Sequence, residues 1–350
     1  MTLPRLERLV AELGEKKYTA GYIFGFIHKR GVTDISAITP LSKPFRGRLT
    51  EKGCYISTLK VIEKLTDPDD TIKYVFGLPD DKQVESVLLF EEDPSRRGPS
   101  ASPRGERAEA GRRTLCVSTQ VGCEMACVFC ATGRLGLSRN LTTGEIVDQV
   151  NIVGSDDRVT NIVFMGMGEP LANYDAVIDA VRILNHPEGR KIGIRRITVS
   201  TCGIPEGIER LAKEDISPRL AISLNAPTDA IRRRLMPIAK KYPLDRVLEA
   251  VANYQQKTHN RVTFEYVLIK GANDTVLHAQ MLAKRLRPFL CNVNLIEYNP
   301  QPGCEFKPAG RDAIERFAGV LKESGFETTI RFKKGQSICA ACGQLGAGKG

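Results

Sequence analysis

Short apolar segments alternate with amphipathic ones over residues 114–324, and this alternation restricts the possible folds more than any other feature. The apolar segments have the length and composition of strands and span residues 114–118, 161–165, 197–200, 220–223, 262–268 and 293–298. The amphipathic segments have helical spacing and span residues 143–153, 174–184, 205–213, 244–258, 276–286 and 311–324. Strands and helices in this order form parallel strands joined by right-handed crossovers. We therefore predict an α/β fold, a partial (βα)6 barrel of the TIM type, with functional residues at the C-terminal ends of its strands.

Two segments with different patterns precede this repeat. The spacing of apolar residues over 3–65 is helical and predicts a small N-terminal helical domain over residues 1–70. Two strand-like segments, 72–76 and 84–90, flank a Pro-Asp-Asp turn. They predict a β-hairpin extension over residues 71–93.

An Arg-rich segment separates the hairpin from the barrel. Residues 94–113 contain six Arg and two Glu among Pro, Gly, Ser and Ala. This composition buries too little apolar surface to order itself, and it predicts a flexible linker. Residues 114–350 then form the barrel and a C-terminal tail. With 350 residues and 42% hydrophobic content, the chain has enough apolar surface for a large core.

The charge balance and the cysteine count narrow the function. The chain carries 51 Lys and Arg against 41 Asp and Glu, a net charge of +10, which favours a polyanionic partner over an acidic one. A solvated basic surface is an equally good interpretation of the charge alone. No apolar run reaches the ~20 residues of a membrane span and no signal-peptide pattern is present, so we expect a cytoplasmic protein without membrane contact. Ten unevenly spaced cysteines suggest metal binding or catalysis rather than a disulfide framework.

Three cysteines lie close together in the loop after the first predicted barrel strand. They are Cys123, Cys127 and Cys130. A four-iron, four-sulfur cluster takes four ligands, so three thiolates leave one iron open to a substrate. Zinc is the competing interpretation, but none of the four histidines of the sequence lies near this loop. The spacing therefore predicts one [4Fe-4S] cluster.

This CxxxCxxC spacing, with Phe129 before the third cysteine, resembles the radical S-adenosylmethionine superfamily. The resemblance implies that S-adenosylmethionine binds the open iron through its amino and carboxylate groups. It also implies that the reduced cluster cleaves this cosubstrate to a 5′-deoxyadenosyl radical. S-adenosylmethionine is thus the second expected cofactor.

Longer motifs resemble one family within this superfamily, the adenine C2 methyltransferases of 23S ribosomal RNA and transfer RNA (RlmN family). They include Cys116-Val-Ser-Thr-Gln-Val-Gly-Cys123, Phe164-Met-Gly-Met-Gly-Glu169-Pro, Arg232-Arg-Arg-Leu-Met-Pro, Phe264-Glu-Tyr-Val-Leu-Ile, Asn294-Leu-Ile-Glu-Tyr-Asn299-Pro and Ala340-Ala-Cys342-Gly-Gln-Leu. The resemblance extends over most of the chain from Glu85 onward. It implies methylation of an adenine at the peptidyl transferase centre of 23S rRNA and of the adenine 3′ of the anticodon in tRNA.

The family also implies roles for two distant thiols. Adenine C2 is electrophilic, so polar methyl transfer has no nucleophile there and a radical route is needed. By resemblance, Cys342 takes a methyl group from one S-adenosylmethionine, and the radical from a second molecule activates it, in a ping-pong mechanism. Cys116 matches the thiol that releases the product by disulfide formation. Cys339 and Cys342 also form a CxxC pair, so a zinc half-site or a redox pair stays open for them.

The remaining site residues also come from the resemblance. Glu85 matches the general base, although a Glu in an alternating strand is usually exposed to solvent. The residues that match S-adenosylmethionine contacts are Gly168, Glu169, Ser200, Ser223, Leu224, Asn225 and Asn299. All follow or end predicted barrel strands, where ordinary strand-end capping is the alternative role.

The expected partners are 23S rRNA, tRNA and a one-electron reductase such as flavodoxin, and we expect a monomer. In the family the N-terminal domain helps to hold RNA, and His28-Lys29-Arg30 and Arg46-Gly-Arg48 are candidate phosphate contacts, with simple solvation as the alternative. A sister enzyme that methylates adenine C8 shares the cysteines, while Pro170 and the Ser223-Leu-Asn triplet favour C2. A non-catalytic iron–sulfur protein that binds RNA is a third possibility, which the three-ligand spacing disfavours.

Overall fold

A computed structural model of the protein describes residues 1–57, 59–91, 111–331 and 333–347. Its N-terminal part contains the helices α1 (Leu3–Glu12), α2 (Tyr18–His28) and α3 (Lys43–Glu51). Proline occupies the first turn of α1 and α3, where its missing N–H costs nothing, and the Ser42 side chain caps α3 by accepting from Phe45 N. The prediction of a helical N-terminal region is confirmed for these residues.

The helical prediction is wrong at its end, because Lys60–Thr66 is a strand, β1. β1 lies at the edge of the sheet and almost all its residues are exposed, so its sequence lacks the alternation of a half-buried strand. It pairs antiparallel with β2 (Ile72–Gly77), which pairs antiparallel with β3 (Gln83–Glu91). The predicted hairpin is therefore two strands of a three-stranded meander.

The meander continues directly into the barrel sheet. β3 pairs antiparallel with β4 (Arg112–Cys116), the first barrel strand. After the two-stranded ribbon of β5 (Gln120–Gly122) and β6 (Leu137–Asn140), the parallel strands run in chain order. They are β7 (Asn161–Phe164), β8 (Ile197–Thr201), β9 (Arg219–Ser223), β10 (Val262–Leu268), β11 (Cys291–Glu297) and β12 (Glu327–Arg331).

All six predicted barrel strands are present, and β12 is an addition at the outer edge. Its sequence, Glu-Thr-Thr-Ile-Arg, is polar and half-exposed, so it lacks the apolar run that identified the others. A flexible linker is predicted over residues 94–113, but its last two residues belong to β4, which begins at Arg112. Residues 94–110 of the predicted linker lie outside the described residues.

Helices connect the strands and cover the outside of the sheet. They are α4 (Ala131–Arg134), α5 (Thr143–Asp156), α6 (Tyr174–Asn185), α7 (Pro205–Leu211), α8 (Asp229–Leu235), α9 (Leu244–Thr258), α10 (Val276–Leu286) and α11 (Arg311–Glu323). A reciprocal pair of hydrogen bonds between Thr142 and Glu145 starts α5. In the described part of the chain, no helix is both long and apolar enough to cross a bilayer.

One continuous apolar core joins the N-terminal helices, the meander and the barrel. Polar contacts cross the same boundary, since Arg5 pairs with Asp179 at 2.6 Å and Tyr74 donates to Asp157 at 2.9 Å. The barrel strands all end at one rim, and the loops that follow them carry the candidate site.

Candidate active site

The three-cysteine loop lies between β5 and α4, at the rim of the barrel. Backbone hydrogen bonds fix it at both ends: Cys123 N donates to Gly136 O at 2.8 Å, and Ala131 N donates to Gly343 O of the C-terminal tail at 2.7 Å. Gly133 lets the chain turn back on itself, because a Cβ there would lie 2.9 Å from Cys127 N. The local fold thus presents the three thiols in one short loop.

A second, smaller apolar cluster surrounds these thiols. Its buried members besides cysteine are Met125, Phe129, Leu235, Met236, Ile269 and Tyr298. Burial raises the pKa of the Cys123 thiol to about 12 and, with the neighbouring Cys130 and Cys123 thiols, raises that of Cys127 well above its usual value. Without a metal the thiols therefore stay protonated at neutral pH, and only a bound metal centre would hold them as thiolates.

The donor set of the loop consists of three thiols. The sulfurs of a tetrahedral zinc site lie roughly 3.8 Å apart, given Zn–S bonds of about 2.3 Å. Within the described residues, no three His, Cys, Asp or Glu side chains converge closely enough to hold one ion. Cys123, Cys127 and Cys130 nevertheless lie near enough to affect one another's pKa. Three thiols with no fourth protein ligand are a donor set that a [4Fe-4S] centre with one open iron can take.

Glu169 connects the ends of two neighbouring strands beside this loop. Its carboxylate accepts from Leu171 N at 3.0 Å and from Cys202 N at 2.7 Å, which joins the residues after β7 to those after β8. Burial raises the pKa of Glu169. A carboxylate has about four lone-pair positions, so acceptor capacity remains for a ligand ammonium group.

Gly168, next to it, has no room for a side chain. Its φ is +102°, and a Cβ there would lie 2.5 Å from the Gln120 Cβ. We predict that Gly168→Ala lowers the free energy of unfolding by at least about 2 kcal/mol, since both the backbone and the neighbour must adjust. Thermal unfolding measures this loss of stability, and Gly144→Ala in α5 is the control. A Cβ at Gly144 would have one neighbour within 4 Å, Thr142 Oγ1 at 3.8 Å. Equal stability of the two variants would contradict this account.

The other residues predicted to contact S-adenosylmethionine lie along the same rim, but two of them already have structural partners. Ser200 is the second-last residue of β8, Ser223 ends β9, and Leu224 is buried just beyond it. The Asn225 side chain accepts from Val267 N at 2.8 Å and so ties β9 to β10. Asn299 Nδ2 donates to the Cys342 carbonyl at 3.0 Å, so this residue holds the tail as well as facing the rim.

Cys116 and Cys342, far apart in sequence, line the same cavity. Its volume is about 900 Å³, and it fills the inside of the partial barrel. Cys116 ends β4 and is buried, whereas Cys342 lies on the tail where water reaches it through the open mouth. The surrounding protein raises the pKa of both thiols, and Cys342 adds to the increase at Cys116, which places the two sulfurs in electrostatic reach. Both thiols are free.

Among the charged side chains on the cavity wall, Glu265 and Arg331 affect the pKa of Cys342, and neither was identified from the sequence. Glu265 on β10 is buried, its pKa is raised by burial, and it accepts from Asn294 Nδ2 at 3.0 Å. Arg331 ends β12, and its charge lowers the pKa of Cys342 against the effect of burial. Glu265 lies between apolar residues of β10, and a carboxylate in such a strand indicates a functional position. Arg331 could not be identified because β12 itself was not predicted.

Glu85 is buried rather than solvent-facing. It lies on β3 opposite Val75, with Lys73 Nζ 4.0 Å from its carboxylate. Its Oε2 accepts from Gly346 N of the tail at 3.1 Å. The structure therefore brings Glu85 to the tail that carries Cys342, although Glu85 does not belong to the cavity wall around the two thiols.

The expectation that His28 contacts phosphate is wrong. His28 is buried, contacts Asn151 Nδ2 at 3.2 Å, and its pKa is lowered by burial to about 3, so the ring is neutral and inaccessible. Lys29 and Arg30 beside it are exposed. Arg48 pairs with Glu15 at 2.7 Å, which reduces its availability to RNA.

Comparison with known proteins adds an independent line of evidence. A family model of the radical SAM superfamily matches residues 117–279, and one of the ribosomal RNA large subunit methyltransferase N-terminal domain matches residues 1–55. A dual-specificity RNA methyltransferase RlmN of Geobacter sulfurreducens is 44% identical over 99% of this chain and 90% of its own. A probable RlmN of Thermus thermophilus is 41% identical over 98% of this chain and 92% of its own.

A solved structure agrees with these sequences. The crystal structure of a radical SAM methyltransferase from Sphaerobacter thermophilus superimposes with a TM-score of 0.89 and 41% identity, covering 99% of this chain and 98% of that one. The family and the fold predicted from the motifs are confirmed. The chain belongs to the RlmN family of dual-specificity RNA methyltransferases, which are radical S-adenosylmethionine enzymes.

Proposed function

We propose that this enzyme methylates C2 of an adenine in 23S rRNA, at the peptidyl transferase centre, and of the adenine 3′ of the anticodon in tRNA. The observation that carries the proposal is the pair of thiols, Cys116 and Cys342, facing one cavity beside the three-cysteine loop. Polar methyl transfer from S-adenosylmethionine to a nucleophile needs no such pair. The names of the relatives, which are dual-specificity RNA methyltransferases, support the substrate class.

Cys123, Cys127 and Cys130 would hold the [4Fe-4S] cluster, and the rim residues would hold S-adenosylmethionine. When bound, the two cofactors supply the radical that activates the methyl group, with an electron from a reductase such as flavodoxin. The apolar residues around the loop exclude water from this centre. Glu169, Ser200, Ser223 and Asn299 lie along the rim where an amino acid and a ribose need polar partners.

Cys342 would carry the methyl group, and Cys116 would release the product. The methylene carbon would join adenine C2, and the adduct would then lose the C2 proton and one electron, with the electron returning to the redox centre that the bound cofactors supply. A closed-shell thioether would then link Cys342 to RNA. The Cys116 thiolate then attacks Cys342 Sγ: the S–S bond forms, the S–C bond breaks, and its electron pair leaves with the carbon, which takes up a proton. The resulting disulfide needs two electrons from a cellular thiol before the next cycle, which returns both thiols to the free state seen here.

Glu85 would remove the proton from adenine C2. In this structure one oxygen of Glu85 accepts a hydrogen bond from the N–H of Gly346. The end of the tail must therefore move away before Glu85 can contact the adenine. The Lys73 ammonium nitrogen lies 4.0 Å from the same carboxylate and is a second group that the carboxylate faces in this structure.

The basic charge balance supports RNA as the partner. A net charge of +10 provides phosphate contacts, and the exposed Lys29 and Arg30 of the N-terminal domain are candidates for them. An unstacked adenine would enter the barrel mouth, because single-stranded or unpaired bases are the ones that proteins can reach in RNA. We expect the enzyme to act as a monomer in the cytoplasm.

Mass spectrometry of nucleosides tests the proposal. Anaerobically reconstituted enzyme, given S-adenosylmethionine and a reductant, should produce 2-methyladenosine in 23S rRNA and in tRNA. Deletion of the gene should remove the same nucleoside from cellular RNA. Formation of 8-methyladenosine would assign the enzyme to the C8 reaction instead, and RNA binding without any methylated product would favour a non-catalytic role.

A further inference from the structure

The turn between β1 and β2 is organised by its own carboxylates. Asp67 Oδ1 accepts from Asp69 N at 3.1 Å, and Asp69 Oδ1 accepts from Thr71 N at 2.9 Å. Asp67 N also donates to Thr71 O at 2.8 Å. Each carboxylate thus uses one oxygen to hold the turn, which leaves its second oxygen in a fixed direction.

Both second oxygens accept from the C-terminal tail. Asp67 Oδ2 accepts from Ser337 N at 3.0 Å and from Ser337 Oγ at 2.6 Å, and Asp69 Oδ2 accepts from Gly335 N at 2.9 Å. The Ser337 hydroxyl lowers the pKa of Asp67, so this acceptor stays ionised at neutral pH. Bonds from neutral donors to an ionised acceptor are stronger than neutral pairs.

The tail fits closely against this turn. Gly335 has φ +66°, and a Cβ there would lie 2.8 Å from both Thr71 Cγ2 and Ala340 Cβ. Thr71 is fully buried beneath it. The tail then turns on itself, with Ala340 N donating to Gly335 O at 2.8 Å, two residues before Cys342. The contact at the turn therefore fixes the segment that directly precedes Cys342.

The other side of Cys342 is held by different elements. Gln301 Nε2 donates to Gly343 O at 2.7 Å, Thr132 Oγ1 donates to Leu345 O at 2.7 Å, and Glu85 accepts from Gly346 N. Gln301 belongs to the rim, Thr132 follows the three-cysteine loop, and Glu85 belongs to β3. Cys342 thus lies between a contact with the β1–β2 turn on one side and these three contacts on the other.

We propose that Asp67 and Asp69 are positioning residues that hold residues 335–337 as a fixed anchor for Cys342, so that only the segment after Cys342 detaches during the reaction. This rests on the proposed role of Cys342 as the methyl carrier. A sulfur that must first meet a methyl donor and then Cys116 needs a short range of movement from a fixed base, since a loosely held group loses effective concentration.

The test compares Asp67→Asn with Asp70→Asn. Asparagine at 67 offers an NH₂ group either to the Ser337 donors or to Asp69 N, so one set of bonds is lost. Asp70 lies in the same turn, is exposed, and has no contact with the tail among the described hydrogen bonds, and its φ of +65° suits asparagine. It removes the same charge without touching the anchor.

Two measurements on reconstituted enzyme report the anchor. Hydrogen exchange of the backbone N–H of residue 337 should be about tenfold faster in Asp67→Asn than in wild type, the size expected for losing a bond to a charged acceptor, while the N–H of Cys123, which donates to Gly136 O, exchanges at the wild-type rate. Normalised to iron content, methylation of Cys342 by S-adenosylmethionine should be about tenfold slower with an unchanged KM. Asp70→Asn should behave like wild type in both.

The inference is overturned by wild-type rates in Asp67→Asn, or by equal changes in Asp70→Asn. If Asp67→Asn does not fold, Ser337→Ala removes one donor only and should change both rates in the same direction by a smaller factor; no change would also overturn it. Absence of methyl on wild-type Cys342 would instead refute the proposed function, and the hydrogen-exchange rates would still decide whether the anchor exists.

Discussion

Cys342→Ala should abolish RNA methylation while leaving the iron content and S-adenosylmethionine binding unchanged. The variant lacks the sulfur that would carry the methyl group, and loss of a covalent nucleophile costs up to about 10⁶ in turnover. We expect a decrease of at least about 10³-fold. Transfer of radiolabelled methyl from S-adenosylmethionine to RNA measures it, and digestion of the wild-type enzyme should locate a methyl group on the peptide containing Cys342.

Cys339→Ala is the matched control for this prediction. Cys339 lies in the same tail, three positions earlier, and is the other half of the CxxC pair. It is absent from the wall of the cavity that Cys116 and Cys342 share. The control should keep most of its activity. If Cys339→Ala were inactive and Cys342→Ala active, the assignment of the methyl carrier would be wrong.

Cys116→Ala should accumulate a covalent complex between protein and RNA. Without the resolving thiol, nothing breaks the bond between Cys342 and the adenine, so a single turnover traps the enzyme. Denaturing gels should show a band of combined mass, and net product release should fall to background. Because the pKa of Cys116 is raised by burial, its thiolate is scarce at neutral pH, so product release by the wild-type enzyme should accelerate as pH increases.

Two further variants check the origin of the complex. Cys116→Ala combined with Cys342→Ala should give no complex, since the attachment point is missing. Cys291→Ala removes a buried thiol at the start of β11, outside the cavity wall, and should turn over normally. A fully active Cys116→Ala enzyme without a complex would refute the resolving role.

The strands that the sequence predicted are those buried on both faces. β7 and β9 contain the buried apolar runs Ile162-Val-Phe164 and Leu220-Ala-Ile222, because helices or the barrel interior cover each side. β1 and β12 are sheet edges with exposed, polar or irregular residues, so no local pattern separates them from helix or loop.

Some candidate site residues could be predicted from local spacing, and others could not. Cys123, Cys127 and Cys130 belong to one short loop, so their spacing in sequence is already their spacing in space and predicts the cluster. Cys116, Cys342 and Glu85 could be assigned only through family resemblance, and no local feature relates one to another. The contacts of Asp67 with Ser337 had no sequence signal apart from a turn rich in aspartate.

The sequence alone predicted the order of the barrel strands, the loop of three cysteines proposed to hold the cluster, and the family, because these depend on local periodicity, short spacings and motifs. Only the tertiary structure shows that the tail returns to the barrel, that Cys342 and Cys116 line one cavity, and that the β1–β2 turn binds the tail. The physical reason is that such contacts depend on the sheet order and on hydrogen bonds between distant backbone groups, whose partners leave no periodic pattern along the chain.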